Sequence, residues 1–194
     1  LALREALAMG ADEGILITDR AFGGADTLAT SRTLAAALSK LEYDLIITGR
    51  QAIDGDTAQV GPEVAECLDI PHVANVRKII DMDDDSIVIE MDMGEVVQIS
   101  KLKFPCLITV DKDIFQPRLP SYRRKMATEN RDVKIYSLSD FEDRDEKRYG
   151  LSGSPTQVER IFPPAVNTNK EIWKGYDSDL SGRLYKKLKE LKFV

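Results

Sequence analysis

Histidine and cysteine are scarce in this chain, and their scarcity excludes several kinds of metal and redox site. Of its 194 residues one is His and two are Cys, Cys67 and Cys106, and no CxxC pair occurs. These residues are too few for an ordinary zinc or iron–sulfur site, so the sequence predicts no metal centre. Two isolated cysteines are typical of a reducing compartment, and we expect a cytoplasmic protein in which both thiols are buried.

Long apolar runs and an excess of positive charge are missing as well. No run approaches the ~20 apolar residues that cross a bilayer, and the first residues lack the pattern of a secretory leader. The formal net charge is −6, whereas nucleic-acid binding needs clustered Lys and Arg. The sequence therefore predicts neither membrane insertion nor a nucleic-acid partner. Its 43% hydrophobic and 31% charged residues are typical of a globular protein.

The first seventy residues alternate short β-rich runs with helical patterns. Buried-strand runs lie around Ile15–Ile17 and at Asp44–Thr48, and helical spacing of apolar residues follows at Asp26–Leu41 and Thr57–Leu68. Strand, helix, strand and helix with short connections indicate βαβ units. The predicted fold class is therefore α/β, with a mostly parallel sheet covered by helices on both faces.

The later segments add other elements to this sheet. Two strands, Ser86–Asp92 and Glu95–Leu102, meet at a Met-Gly turn and predict a β-hairpin insertion. A stripe of leucines near the C-terminus predicts a final helix, which either docks on a partner or covers its own sheet. We expect a nucleotide-binding domain over 1–150 and a C-terminal arm over 151–194. Because Leu1 already lies in a helical pattern, we also expect part of the first domain to precede it.

Each of the two clear strands runs into a glycine-containing loop with Asp-Thr before a helix. The first loop contains Gly23-Gly24-Ala25-Asp26-Thr27, and the second contains Gly49-Arg50-Gln51-Ala52-Ile53-Asp54-Gly55-Asp56-Thr57. Ligands of open parallel sheets bind at the carboxyl ends of strands, and helix N-termini favour phosphate. Thr hydroxyls can donate to phosphate oxygens, and an Asp carboxylate can accept from ribose hydroxyls.

Helix capping explains the same residues without a ligand. Asp and Thr are favoured at helix starts as caps, and Gly is favoured in turns. Neither loop matches the GxGxxG or Walker patterns. Spacing alone therefore leaves a nucleotide site and simple capping both open.

The second loop, continued through Ala58-Gln59-Val60-Gly61-Pro62, closely resembles the adenine-nucleotide loop of electron-transfer flavoprotein β subunits. Two further segments, Ala6–Asp12 and Gly150–Thr156, are also similar to that family. The resemblance implies a Rossmann-like sheet and an obligate α subunit that carries FAD. It also implies that the flavin performs the redox chemistry, so that no residue here needs to act as a general acid or base.

The resemblance leaves two kinds of β subunit open. Simple carriers hold a structural AMP, whereas electron-bifurcating members hold a second FAD. The bifurcating members take electrons from NADH and pass them to ferredoxin or flavodoxin and to an acyl-CoA dehydrogenase. The run Asp26-Thr27-Leu28-Ala29-Thr30 resembles the bifurcating type, where it lies by the flavin diphosphate. The expected ligand is therefore FAD, with AMP as the alternative. The expected nucleotide contacts are Asp26, Thr27, Thr30, Gly49, Gln51, Asp56, Thr57, Ala58, Gln59 and Val60.

Partner contacts are also implied by the resemblance. Ile114 and Phe115 match the family's recognition loop, where an apolar residue anchors on the partner dehydrogenase; without the family, Phe115 would be assigned to the core. Two rival functions remain. One is a scaffold whose AMP never reacts. The other is a nucleotide hydrolase or transferase, which the lack of a P-loop lysine and of a metal cluster disfavours.

Overall fold

The computed structural model describes residues 1–164, 170–175 and 178–194 of the chain. These residues form two units, Leu1–Gln157 and Val158–Val194. The boundary between the two units follows residue 157, seven residues after the boundary that the sequence analysis placed at 150. Residues 165–169 and 176–177 of the expected arm lie outside the described residues.

The first unit alternates strands and helices, as the sequence predicts. Its strands in the described residues are β1 Ile15–Ile17, β2 Leu45–Gly49, β3 His72–Met82, β4 Ser86–Asp92, β5 Val97–Lys103, β6 Cys106–Val110 and β7 Lys134–Tyr136. Its α-helices are α1 Ala2–Met9, α2 Thr27–Leu38, α3 Val60–Cys67 and α4 Tyr122–Thr128. The second unit contains α5, Ser178–Glu190.

The main sheet has a parallel half and an antiparallel half. Its strand order is β2-β6-β3-β4-β5, with β6 parallel to both β2 and β3, and with β3, β4 and β5 joined as an antiparallel meander. The α/β class, the parallel pairing, the hairpin and the C-terminal helix are thus confirmed. β1, however, does not join this sheet, because it pairs in parallel with β7 in a ladder of its own.

The sequence analysis did not predict β3 and β7. The alternation of β3 is interrupted by register shifts between Val76 and Lys78 and between Ile79 and Asp81, and Asn75 takes a left-handed φ of 58°. Such bulges break the period-two pattern by which a strand is recognised. β7 is only three residues long, which is too short to show a period.

The core lies on both faces of β6. On one side Leu107 packs with Val64 and Ala65 of α3, and α2 contributes Leu34 to the same cluster. On the other side Cys106 and Ile108 pack with apolar residues of β3, β4 and β5. Burial on both faces explains why β6 is a continuous apolar run, as is usual for a strand with parallel neighbours.

One cysteine prediction is wrong. Cys106 is fully buried in β6, as expected, but Cys67 at the end of α3 is exposed. The helical stripe of α3 that faces the sheet runs through Val64 and Ala65, and position 67 falls off that stripe. Burial raises the pKa of the Cys106 thiol.

The second unit is built on α5. The Arg183 guanidinium lies 4.9 Å from the centre of the Trp173 ring, and Lys187 pairs with Glu171 at 3.3 Å. Both contacts fix the chain before α5 against the helix. Across the described ranges, no helix combines the length and the apolar character that a membrane span requires.

Candidate functional site

The first loop begins with an aspartate that has a structural role. Asp19 follows β1 and accepts hydrogen bonds from the backbone N–H groups of Ala21, at 3.0 Å, and Leu138, at 3.1 Å. These bonds hold the pKa of Asp19 below its usual value. Asp19 thereby joins the end of β1 to the segment that follows β7.

Asp26 caps α2 and also binds the loop Gly150–Thr156 to the first loop. Its Oδ1 accepts from the Ala29 N–H at 3.0 Å, while its Oδ2 accepts from the N–H and the hydroxyl of Thr156, at 3.1 and 2.8 Å. The Asp26 N–H donates to Ser154 Oγ at 2.8 Å. Burial acts to raise the pKa of Asp26, but the bonds from Ala29 and Thr156 outweigh it and lower the pKa. Capping therefore accounts for this residue, and its expected nucleotide contact stays a prediction.

The loop Gly150–Thr156 fits closely against the first loop. A Cβ on Gly150, whose φ is +54°, would lie 2.1 Å from the Ala21 carbonyl oxygen, and one on Gly153 would lie 2.3 Å from the Arg148 carbonyl. Only glycine allows such approaches. The sequence analysis quoted this segment for its resemblance but assigned no role to Ser154 or Thr156.

The second loop differs from the prediction at the start of α3. The helix begins at Val60, three residues after the expected Thr57. Asp56 and Ala58 take left-handed φ values of 51° and 55°, which helical residues do not adopt. Asp56 and Thr57 are exposed on the loop ahead of the helix, and the Asp56 carboxylate accepts from the Gln51 side-chain amide.

Left-handed Ala58 is a strained position. Non-glycine residues in this region cost about 1–3 kcal/mol, and such strain concentrates at ligand-binding sites. Ala58 lies between Thr57 and Gln59, two of the residues expected to contact the nucleotide. The strain is therefore an independent indication that this loop has a function.

The first turns of α2 and α3 meet. The Thr27 hydroxyl lies 3.2 Å from both the Gln59 amide oxygen and Oε1 of Glu63. One turn further along α2, the Ser31 hydroxyl lies 3.0 Å from the other Glu63 carboxylate oxygen and 2.7 Å from the Thr27 carbonyl. The starts of the two helices are thus in contact, and Glu63 is a residue of this contact that the sequence analysis missed.

The remaining predicted residues fall into two groups. Thr30, on the first turn of α2, and Val60, the first residue of α3, are half-buried, and the Ser31 hydroxyl lies 3.3 Å from the Val60 carbonyl oxygen. Gly49 ends β2, and the loop that follows it is exposed from Gln51 to Thr57. The structure brings the starts of α2 and α3 together at Thr27, Gln59 and Val60, and keeps Asp26 and Thr30 beside Thr27 in the cap and first turn of α2. It leaves Gly49, Gln51, Asp56, Thr57 and Ala58 along the approach to α3.

Close packing beneath α3 holds the site against the sheet. A Cβ on Gly61 would lie 2.5 Å from Thr109 Cγ2 and 2.8 Å from Thr48 Oγ1. Within the described part of the chain, Thr48 Oγ1 is a buried side-chain oxygen without a hydrogen-bond partner. The helix start therefore rests directly on the carboxyl ends of β2 and β6.

The arrangement suits a phosphate ligand. In the residues that the structure describes, the cap residue of α3, Gln59, makes no side-chain cap hydrogen bond. Pro62 has no N–H group, so the backbone donors of the first turn are those of Val60 and the buried Gly61. The hydroxyls of Thr27 and Thr30 lie on the neighbouring turn. Residues 1–164, 170–175 and 178–194 contain no group of three or more His, Cys, Asp or Glu that could hold a metal ion.

The two expected partner residues differ in exposure. Ile114 is half-buried and packs against the core cluster of β3, β4, β5 and β6. Phe115 is 78% exposed. This exposure excludes a place in the core, whereas the expected partner contact stays a prediction, since single exposed apolar side chains are common on protein surfaces.

Comparisons with known proteins give the family to which the chain is similar. The model of the electron transfer flavoprotein domain matches residues 1–140. The chain is 44% identical to an electron transfer flavoprotein subunit beta of Clostridium acetobutylicum, over all of this chain and 74% of that protein. It is 47% identical to the subunit beta of Thermoanaerobacterium thermosaccharolyticum, over 90% of this chain and 67% of that protein.

A third relative is named as part of a larger complex. The chain is 43% identical to the caffeyl-CoA reductase-Etf complex subunit CarD of Acetobacterium woodii, over 97% of this chain and 72% of that protein. The two loops, their meeting at α2 and α3, and these similarities lead to one conclusion. The chain belongs to the electron transfer flavoprotein family, as one of its β subunits.

Proposed function

We propose that this chain holds an FAD at the meeting point of α2 and α3 and works as the NADH-oxidising half of an electron-bifurcating complex. With an α subunit it passes electrons to ferredoxin or flavodoxin and to an acyl-CoA dehydrogenase. The flavin supplies the redox chemistry when bound, and the protein binds and orients it. The complex named for the Acetobacterium woodii relative contains a CoA-ester reductase, which supports an acyl-CoA partner here.

The observation that carries the proposal is the contact between the two loops. Thr27 at the start of α2 lies 3.2 Å from Gln59 at the start of α3, so two helix N-termini converge on one place. A helix N-terminus offers free N–H groups and partial positive charge. Two such ends suit the two phosphates of a dinucleotide better than the single phosphate of AMP.

Each part of the ligand has candidate residues. We assign Thr27 and Thr30 to the diphosphate as donors, together with backbone N–H groups at the start of α3. Gln51, Asp56 and the loop between them are proposed to hold the adenosine end, because a carboxylate and an amide can bond ribose and adenine. Asp26 has both oxygens engaged within the chain, and we assign it the positioning of Thr27.

The proposal is tested by identifying the bound nucleotide in the full-length subunit co-expressed with its α partner. Acid release, chromatography and an absorbance spectrum count the nucleotides for each heterodimer. Two FAD support the proposal, and NADH-dependent reduction of ferredoxin is then the next assay. One FAD and one AMP would overturn it, and the chain would be a simple carrier with a structural AMP.

The partner surfaces are part of the same proposal. Phe115 is proposed to anchor the acyl-CoA dehydrogenase, and the arm over 151–194 to contact the α subunit. In α5 and directly after it, the apolar residues Leu184, Tyr185 and Leu191 are at least half exposed, as a docking helix requires. Hydrogen exchange of residues 178–194 should slow when the α subunit is added; unchanged exchange would remove the arm from the interface.

A further inference from the structure

Glu63 occupies the position where the two helix starts meet. It lies in the first turn of α3, and its two carboxylate oxygens face α2, at 3.2 Å from the Thr27 hydroxyl and 3.0 Å from the Ser31 hydroxyl. Ser31 is fully buried and Glu63 is half-buried. The Glu63 carboxylate thus contacts the Thr27 hydroxyl, which is itself proposed to bind a phosphate.

The hydroxyl of Thr27 links Glu63 to the ligand. It has one proton and three candidate acceptors, namely Gln59, Glu63 and a phosphate oxygen. A phosphate oxygen bonded to this hydroxyl would stand a few ångströms from the carboxylate, in a partly desolvated place where like charges repel strongly. The negative charge of the carboxylate also offsets part of the positive potential of the helix N-termini.

The repulsion depends on how charge is distributed over the ligand. A terminal phosphate monoester carries about −1.5 to −2 charges near pH 7. Each phosphate of an internal diphosphate has a single ionisable oxygen and carries less charge. A fixed carboxylate therefore disfavours the monoester of AMP more than the diphosphate of FAD.

We propose that Glu63 is a specificity-determining residue that selects a dinucleotide over a mononucleotide at this site. It acts through its charge, while its bonds to Thr27 and Ser31 hold it in place. This inference rests on the proposed nucleotide site and adds a reason why one adenine nucleotide is preferred to another.

The test is the ratio of FAD to AMP affinity in the full-length subunit paired with its α partner. Binding of each nucleotide is measured by calorimetry after removal of the bound one. Glu63→Gln keeps an oxygen for Ser31 and removes the charge. We expect AMP affinity to rise about tenfold and FAD affinity to rise less than about threefold.

Two control variants separate charge from position. Glu66→Gln removes the same charge from an exposed residue one turn further along α3, and should leave both affinities unchanged. Ser31→Ala keeps the charge of Glu63 but removes one of the bonds that hold it in place, and should shift the affinity ratio less than Glu63→Gln does.

The outcomes distinguish this inference from the proposed function. If the wild type binds both nucleotides and Glu63→Gln keeps their ratio, Glu63 does not select the ligand and only this inference is wrong. The same conclusion follows if Glu66→Gln shifts the ratio equally. If the wild type binds neither nucleotide, the proposed site is wrong and the inference falls with it.

Discussion

Gly61 is the residue on which the packing of the site depends most directly. Thr48 and Thr109 are β-branched residues on adjacent strands, so they have little freedom to move away from an added methyl group. We expect Gly61→Ala to destabilise the protein by about 1–3 kcal/mol through overpacking, although alanine is the better helix former. Urea unfolding measures the change.

Gly55 provides the control for this substitution. A Cβ at Gly55 meets nothing within 4 Å, so Gly55→Ala should leave the urea midpoint nearly unchanged. Equal midpoints for Gly61→Ala and the wild type would show that α3 can lift from the sheet without cost.

Asp26 makes the stability of the first unit depend on pH. Its pKa is lower in the folded chain than the ~3.9 of an unfolded aspartate. Its contribution is therefore fully present above the unfolded pKa and is lost as pH falls through the folded pKa. Asp26→Ala should cost about 1 kcal/mol at pH 7, as removal of a helix cap does.

The comparison of two pH values checks this origin. The difference in urea midpoint between wild type and Asp26→Ala should shrink on going from pH 7 to about pH 3. Asp84→Asn, in an exposed turn, should have no effect at either pH. A difference that stays constant with pH would assign the effect to lost packing.

At the scale of single residues, the sequence predicted which residues lie at helix starts better than it predicted which residues they contact. It placed Asp26 and Thr27 at the start of a helix correctly, because Asp and Thr are favoured there, whereas Gln59 was named only through the family resemblance. It could not show that the second oxygen of Asp26 accepts from Thr156, nor that Glu63 faces Ser31. Those pairings depend on how distant segments pack.

The elements were predicted well where their period is regular. β2, β4 and β5 lie within two residues of the expected runs. The start of α3 was placed too early because Thr57 looks like a helix start, while the left-handed residues Asp56 and Ala58 are not visible in a sequence. The pairing of β1 with β7 could not be predicted because three-residue strands carry no register information.

α5 contains a glycine in its interior that weakens it. A Cβ on Gly182 would meet nothing within 4 Å, so alanine fits there without a clash. We expect Gly182→Ala to stabilise the helix by about 1 kcal/mol. Slower hydrogen exchange of the amides in 178–190 measures this gain.

Gly175 is the contrasting position in the same unit. Its φ is +152°, which side-chain-bearing residues rarely adopt. Gly175→Ala should therefore destabilise the segment that leads into the helix. If Gly175→Ala and Gly182→Ala changed the hydrogen exchange of the amides in 178–190 in the same direction, helix propensity would not explain the effect of Gly182→Ala.

For the molecule in its complex, Phe115 is the sharpest test of partner recognition. We expect Phe115→Ala to reduce the rate of electron transfer to the acyl-CoA dehydrogenase by about tenfold or more. An aromatic anchor that is buried in an interface contributes about 2 kcal/mol or more to binding. Stability should be unchanged, since the ring is exposed in the free chain. The measurement is transfer rate against dehydrogenase concentration.

The control for this variant removes apolar surface elsewhere. Ile135 in β7 is 61% exposed, and Ile135→Ala should leave the transfer rate unchanged. An unchanged rate for Phe115→Ala would remove this residue from the dehydrogenase contact.

The division of the sheet into a local and a non-local half has a consequence for how the chain folds. In the meander, Ile89 faces Ser100 and Ile79, partners that are near in sequence. β6 instead joins β2 and β3 across long loops, and β1 finds β7 near the far end of the first unit. Since loop closure slows non-local pairing, the meander should gain amide protection first in pulse-labelling experiments, and the loops that precede α2 and α3 should order last.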